Sequence, residues 1–406
     1  MAKAPKTKKV VIFDWKGQNH NGVRESGEIE ATTLKEARGL IQKRGIKLKK
    51  IRKQSHPIFG GDSVKNRDVV VLSRQLATMV EGGIPIAQAL SVVGQSSDNR
   101  AVKILLAKMR MNVEEGEDLT STLRKHPKHF NSLYVGLVNV GEESGTLGPM
   151  LGRIAAYLEK AEAMRRKIKS ALMYPVIVMS VGLIIVAGLL IFIIPQFQSL
   201  FESNNAELPL LTSIVITASE TLQEHWLLVA ILIFMSNISS KYFYKKSFSF
   251  KHLVDRLMLK VPVFGPLVRK SILVRVTRTV AIMFRAGIPM VETLGVIAPA
   301  SGNEVFRRAL SQVQNDIATG QPLESSLREA KQFPSMILQM VRTGEETGEM
   351  DSMLDKVAEF YEDEVDNTIS GISALVEPIM VVVLGILIGI VVVAMYLPIF
   401  KLGDVF

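Results

Sequence analysis

Two prolines, Pro378 and Pro398, bracket nineteen residues, 379–397, none of them charged and only Tyr396 bearing a hydrogen-bonding side chain. At a rise of ~1.5 Å per residue a helix of that length covers about 28 Å, close to a bilayer's hydrocarbon core. The run therefore predicts a membrane-spanning helix, and the chain contains it twice. Pro175 and Pro195 bracket a second uncharged run of nineteen, 176–194, and Phe197 follows Pro195 much as Phe400 follows Pro398.

The offset between the copies is 203 residues, and it persists upstream. Gly141-Glu142-Glu143-Ser144-Gly145 falls on Gly344-Glu345-Glu346-Thr347-Gly348, and Phe130 falls on Phe333. Further back the offset is 204: Gly83-Ile84-Pro85 falls on Gly287-Ile288-Pro289, Arg74 on Arg278 and Leu119 on Leu323. One residue is gained or lost between Leu123 and Phe130, which marks a loop. A unit of about 130 residues thus occurs twice, each copy ending in a membrane helix. A repeat that long is a duplicated domain, not a solenoid.

Apolar spacing predicts helices throughout the repeat. Val69, Leu72, Leu76, Met79 and Val80 share one face, Gly82-Gly83 stops that helix, and Pro85 opens the next. Further helices are expected over 86–95, 101–114, 119–125, 133–140 and 147–172, the last running into the membrane at Pro175. Ahead of the repeat, 1–55 reads as a small basic α+β domain: two strands around a turn at 17–22, a helix capped by Thr33 and Glu36, and a closing strand at Ile46, Leu48 and Ile51. Residues 56–67 are a linker.

Arg165, Arg166, Lys167 and Lys169 precede the first apolar run, whereas 196–225 beyond it hold four Glu and no Lys or Arg. Basic before and acidic after places the repeat in the cytoplasm. A second repeat in the same compartment requires a further crossing, assigned to 226–244. Its apolar part covers only 226–235, and Ser236, Asn237 and Ser239 complete it before Lys241, Lys245 and Lys246. The expected fold is mainly α: a polytopic membrane protein with two duplicated cytoplasmic six-helix bundles (68–174 and 272–377). Spans at 175–195, 226–244 and 378–398 accompany them, with a periplasmic loop at 196–225, a cytoplasmic connector at 245–271 and a periplasmic tail at 399–406.

The absence of cysteine excludes disulfides, thiolate metal sites and a Cys nucleophile. The first ten residues are basic and lack the apolar core of a signal peptide, so the N-terminus is expected in the cytoplasm. Residues 1–53 alone carry the net charge of +10. On a membrane protein that charge fits lipid headgroups or an acidic protein face better than nucleic acid. No Gly-Lys-Ser/Thr phosphate loop and no HExxH occur. His126 and His129 flank Pro127 in the loop that holds the indel, which fits a surface loop better than a metal site.

Three sets of residues remain as partner or packing candidates. The pairs Glu142-Glu143 and Glu345-Glu346, between Gly141 and Gly145 and between Gly344 and Gly348, could bind a cation or a basic partner. A fold requirement explains their duplication more simply, with glycines ending one helix and acids favouring the N-terminus of the next. Gly385 and Gly389 form a GxxxG seam for close helix approach. The two membrane approaches differ in charge: Lys160, Arg165, Arg166, Lys167 and Lys169 correspond to Asp363, Thr368, Ile369, Ser370 and Ile372. Residues 345–366 hold ten acids and one lysine, Lys356. Positive-inside anchoring explains the basic set, but not an acidic cluster beside anionic lipid. Glu359, Glu362, Asp363 and Asp366 are therefore expected to dock a basic surface.

At GEESG/GEETG, at both GIP motifs and at the Tyr174-Pro175 and Glu377-Pro378 entries, the whole chain resembles the type II secretion F protein and type IV pilus platform family. Residues 195–201 and 395–406 look more like its pilus members. The resemblance implies a bacterial inner-membrane protein without enzymatic activity or cofactor. It implies coupling of cytoplasmic hexameric assembly and retraction ATPases to insertion and removal of pilin subunits, beside inner-membrane alignment proteins, as a homo-oligomer. A type II secretion platform is the alternative. A transporter would need more spans and buried ionisable groups, and a membrane enzyme would need a nucleophile, metal or nucleotide site.

Overall fold

The computed structural model describes residues 11–18, 24–31, 33–43, 45–53, 63–196, 209–262 and 264–403. The basic residues 1–10, most of the linker and 197–208 of the expected periplasmic loop lie outside them.

The head domain is a three-stranded antiparallel sheet, β1 (Val11–Gln18), β2 (Arg24–Ala31) and β3 (Lys47–Lys53), ordered β2-β1-β3, with α1 (Leu34–Lys43) across it. Thr33 caps α1 by accepting from the Glu36 N–H at 3.2 Å. Phe13, Trp15, Ala31, Ala37, Ile41 and Ile46 form the core. Gly17, expected in a turn, lies inside β1 instead. β3 shifts register beside it, and a Cβ there would lie 2.9 Å from the Lys47 carbonyl oxygen, so the approach of β3 requires glycine.

The first repeat follows the expected helices closely: α2 (Asn66–Glu81), α3 (Ile86–Ser96), α4 (Arg100–Glu114), α5 (Leu119–Arg124), α6 (Ser132–Glu143) and α7 (Leu147–Gly188). Gly83 turns the chain at φ 81°, where a side chain would be strained, and Pro85 is the N-cap of α3. Leu72, Leu76, Leu90, Leu106, Leu123, Phe130, Leu137 and Leu151 are buried. The second repeat has the same order: α10 (Phe264–Arg285), α11 (Met290–Ala300), α12 (Glu304–Ala318), α13 (Leu323–Glu329), α14 (Ser335–Thr347) and α15 (Met350–Gly403). Its turn glycine, Gly287, has φ 79°.

Between the repeats run α8 (Leu210–Lys246) and α9 (Phe248–Lys260). Residues 210–225, read as part of a periplasmic loop, are the first half of one continuous helix, and much of the connector at 245–271 is helical too. The polar residues there are compatible with helix, since the Thr217 and Thr221 hydroxyls each donate to the carbonyl four residues back.

Among the described residues, two helices are long and apolar enough to cross a membrane, Leu147–Gln196 and Met350–Leu397. Pro175 lies within α7 without ending it, and the helix passes through a π-helical turn at Leu189–Ile193. The far ends of both helices pack against the start of α8. Ile194, Val215, Ile216, Val391 and Ala394 form a buried cluster, and the Thr212 hydroxyl donates to the Ala394 carbonyl at 2.7 Å.

Candidate functional site

The duplicated glutamate motifs are architectural at three of their five positions. A six-residue helix such as α5 cannot satisfy its own first N–H groups. The Glu142 carboxylate accepts from the Leu119 N–H at 2.6 Å, the Thr120 N–H at 2.8 Å and the Thr120 hydroxyl at 2.5 Å. In the second repeat Glu345 accepts from the Leu323 N–H at 2.7 Å and the Glu324 N–H at 3.2 Å, at the start of α13. The first acid of each motif thus caps a short helix earlier in the chain, not the following one as expected. Gly141 and Gly344 admit the start of the next long helix: a Cβ would lie 3.0 Å from Leu147 Cα in one copy and 2.8 Å from Met350 Cα in the other. Gly145 and Gly348 turn the chain at φ 69° and 77°. The second acids face solvent, Glu143 accepting from Asn139 at 2.7 Å and Glu346 from Arg342 at 3.0 Å.

A second duplicated device ties the first helix of each repeat to its last. Arg74 on α2 forks onto Glu159 of α7, Nε to Oε1 at 2.7 Å and Nη2 to Oε2 at 2.6 Å. The hydrogen bonds and charge of Arg74 hold the Glu159 carboxyl below its ordinary range. Arg278 on α10 reaches Glu362 of α15 at 2.7 Å and adds Asp355 at 2.9 Å. The Arg278 side chain is 10% exposed against 44% for Arg74, so the second copy is the more enclosed. Glu362, expected on a docking face, is thus bonded within the second repeat. The repeat offset carried the signal, since it superimposes Arg74 on Arg278 and Glu159 on Glu362.

Asp366 is also engaged, accepting from Lys167 of α7 at 2.6 Å. That bond joins one residue of the basic approach to one of the acidic helix. Glu359 and Asp363 are exposed, and no hydrogen bond or ion pair engages them among the described residues; Arg165 and Arg166 are likewise exposed.

The sequence reading missed a buried polar cluster where α9 meets α12. Asp255, on α9, accepts from the Glu304 N–H at 2.7 Å and the Tyr244 hydroxyl at 2.8 Å, and so caps α12 from another helix. Glu304 is fully buried, and its carboxylate is ringed by Arg307, Arg308 at 3.2 Å and Lys251 at 3.9 Å. Hydrogen bonds from Arg307, then Arg308, hold its pKa down to about 2 against the opposing effect of burial. The first repeat holds Arg100 where the second has Glu304, so a search for matching positions could not find this cluster.

Gly385 and Gly389 have nothing within 4 Å of where a Cβ would sit, so neither forms a seam within this chain. Close approach between the apolar helices occurs instead at Gly182, where a Cβ would collide with Leu384. His126 and His129 are held below their ordinary pKa, chiefly by burial. Among the described residues no group of His, Asp and Glu is arranged to hold a metal ion.

The repeats coincide with two matches to one family profile, described as type II secretion system protein F, at residues 72–195 and 276–398. The N-terminal domain of the same family matches residues 2–52. The type IV pilus assembly protein PilC of Pseudomonas aeruginosa is 43% identical over 90% of this chain and 98% of its own length. TapC, a type IV pilus assembly protein of Aeromonas hydrophila, is 40% identical over 98% of this chain and 97% of its own. The type II secretion system protein F of Pseudomonas aeruginosa is 32% identical over 97% and 99%. With both halves of the duplication and the head domain matched, the chain belongs to the type II secretion system protein F family.

Proposed function

We propose that this chain is the non-catalytic inner-membrane platform of a type IV pilus machine. In this role it couples cytoplasmic assembly and retraction ATPases to insertion and removal of pilin subunits. The observation that carries the reading is the 43% identity to a type IV pilus assembly protein across 98% of that protein's length. The fold supports it, since two helical repeats each continue into a long apolar helix, an arrangement suited to passing force between cytoplasm and membrane. A type II secretion platform is the second reading, favoured by the 32% relative, whose identity is lower.

In this reading three helices cross. α8 supplies the middle one: its 37 residues reach about 55 Å, more than a hydrocarbon core requires. Its first turns meet the far ends of the other two helices, and its basic end returns to the cytoplasm. Both repeats and the N-terminus are then cytoplasmic, and the C-terminus periplasmic. A reporter active only outside the cytoplasm should be silent when fused near Lys125 or Ala330 and active near Asn204. Signal at Ala330 would remove the middle crossing.

Self-association uses the open Gly385/Gly389 face, and Gly385→Ile or Gly389→Ile should weaken it without preventing insertion. Basic partners dock on Glu359 and Asp363, and the exposed second acids Glu143 and Glu346 are further candidates, while Arg165 and Arg166 meet anionic lipid. The decisive experiment is a deletion strain. Surface pili should disappear while membrane pilin is still made, and return with the full chain. Unchanged piliation together with lost protein secretion would favour the second reading.

A further inference from the structure

The connector helix α9 has no counterpart in the first repeat, where the 204-residue offset falls on β3, and it lies between the two family-matched segments. Only one residue, Ser247, separates it from α8, and the Ser247 hydroxyl caps it by accepting from the Phe250 N–H at 3.3 Å. One side of α9 is fixed to α12 through Asp255. The opposite side is open: Leu253 and Leu257, one turn apart, are 54% and 55% exposed, and Met258 and Val261 continue the exposed apolar surface. Arg256 and Lys260 are exposed along its edge. Where α8 ends, Tyr242 and Phe243 are exposed, and Lys246 stands over the Tyr242 ring at 5.3 Å.

We infer that α9 lies in the plane of the membrane on the cytoplasmic leaflet, with Leu253 and Leu257 among the acyl chains and Arg256 and Lys260 on anionic headgroups. The proposal rests on the reading of α8 as a membrane crossing. An open apolar stripe edged by cations is what an interfacial helix requires, since the stripe gains by burial and the cations by the leaflet's negative potential. Residues 246–260 hold four Lys/Arg and a single acid, Asp255, which faces inward to cap α12. Tyrosine and lysine where α8 ends are the residue types that gather at a membrane surface. A soluble partner would find this face flush with the bilayer, one residue from the end of the crossing helix. Because Asp255 also holds α12, a helix seated on lipid would fix the second repeat at the membrane surface and leave the first without an equivalent anchor.

The chain has no cysteine, so single labels report cleanly. Leu257→Cys, Leu232→Cys on α8 and Lys128→Cys in a first-repeat loop would each carry an environment-sensitive fluorophore on the full chain. The three proteins would be reconstituted in phosphatidylglycerol/phosphatidylcholine vesicles. At position 257, blue-shifted emission, quenching by lipids spin-labelled near the headgroup and loss of iodide quenching are expected. The label at position 128 should stay open to iodide. Arg256→Glu with Lys260→Glu should abolish the lipid quenching at 257, and unchanged quenching would overturn the role given to the cations. Quenching by lipid at 232 but not at 257 would overturn the inference and leave the three-span reading intact. Absence of lipid quenching at both would overturn both. Protection from iodide at 257 without lipid quenching would mean that protein, such as a second copy of this chain, covers α9, and would also overturn it.

Discussion

The two repeats share a helix order but distribute their polar interactions differently. In the first, Tyr134 is buried, its ring 4.9 Å from Phe130 and its hydroxyl accepting from Ser73 at 3.1 Å. Burial pushes the Tyr134 hydroxyl up to about 12. The second repeat has Thr277 and Ile337 at those places, and Phe333 turns its edge to Phe306 at 5.9 Å. A small apolar cavity lined by Thr277, Leu310, Phe333 and Ile337 lies there. The tie between first and last helices changes the other way, from one half-exposed Arg–Glu pair to a buried arginine serving two acids. What both copies keep is whatever satisfies backbone or admits close approach: the capping glutamate, the contact glycine and the left-handed turn. Their surfaces were free to diverge in charge.

Arg278→Ala should break this comparison open most widely. It removes the cation shared by Asp355 and Glu362 in an enclosed site, at an expected cost of about 2–4 kcal/mol to the second repeat. Arg74→Ala in the half-exposed site should cost the first repeat less than about 1 kcal/mol. Hydrogen exchange on the full chain in micelles reads both, on α10 and on α2. Equal losses would show that enclosure does not distinguish the two ties.

Acid should separate the repeats next. The Glu304 carboxylate has its pKa depressed to about 2 in the folded chain. Such a group contributes stability above its ordinary unfolded value and loses it as the pH falls towards the folded one. Over the window from about pH 4.5 to about 2 the second repeat should lose on the order of 2–3 kcal/mol through this residue. Exchange along α12 should rise in that window, and Glu304→Gln should flatten its pH dependence. The corresponding helix α4 begins at Arg100 and lacks this contribution.

A smaller difference is expected between the capping acids. Glu142→Ala removes three hydrogen bonds from the start of α5 and Glu345→Ala removes two from α13. The costs should be about 1–2 and about 1 kcal/mol, in that order. A reversed order, read from local exchange at α5 and α13, would show that the Thr120 hydroxyl adds nothing.

Much of this architecture was legible because the chain states it twice. Glycine stops, proline starts and apolar spacing located five shorter helices and a long one in the first repeat, mostly within a residue or two of their limits. Two kinds of feature were not legible. Residues 210–225 lie between two expected spans and so read as loop. They are helical because tertiary contacts at Thr212, Val215 and Ile216 hold them against the apolar helix ends. Polar pairs between distant elements were also hidden, since neither Asp255 nor Glu304 announces its partner in sequence. The acidic count over 345–366 was read as one face, whereas Glu345, Glu362 and Asp366 each point at a different internal donor. Charge composition locates a surface; only the fold says which of its charges are already used.

That distinction gives the smallest expected effect on stability and the sharpest one on function. Glu359→Lys with Asp363→Lys changes two exposed acids without touching Arg278 or Lys167, so stability should move by no more than about 0.5 kcal/mol. If this face docks a basic partner, the same double reversal should still weaken partner binding, most of all at low salt, and reduce piliation. Glu362→Lys with Asp366→Lys should instead disturb the second repeat itself, with exchange rising along α10 and α15 at any salt concentration. The Lys167–Asp366 bond can be separated from both. Asp366→Lys alone places two lysines together, and adding Lys167→Glu restores opposite charges at the two positions. Both residues are half-exposed, so recovery should amount to less than about 1 kcal/mol. If Glu359→Lys with Asp363→Lys leaves piliation and partner binding intact at low salt, those acids serve only to keep a membrane-proximal helix hydrated, and the docking face lies elsewhere on the chain.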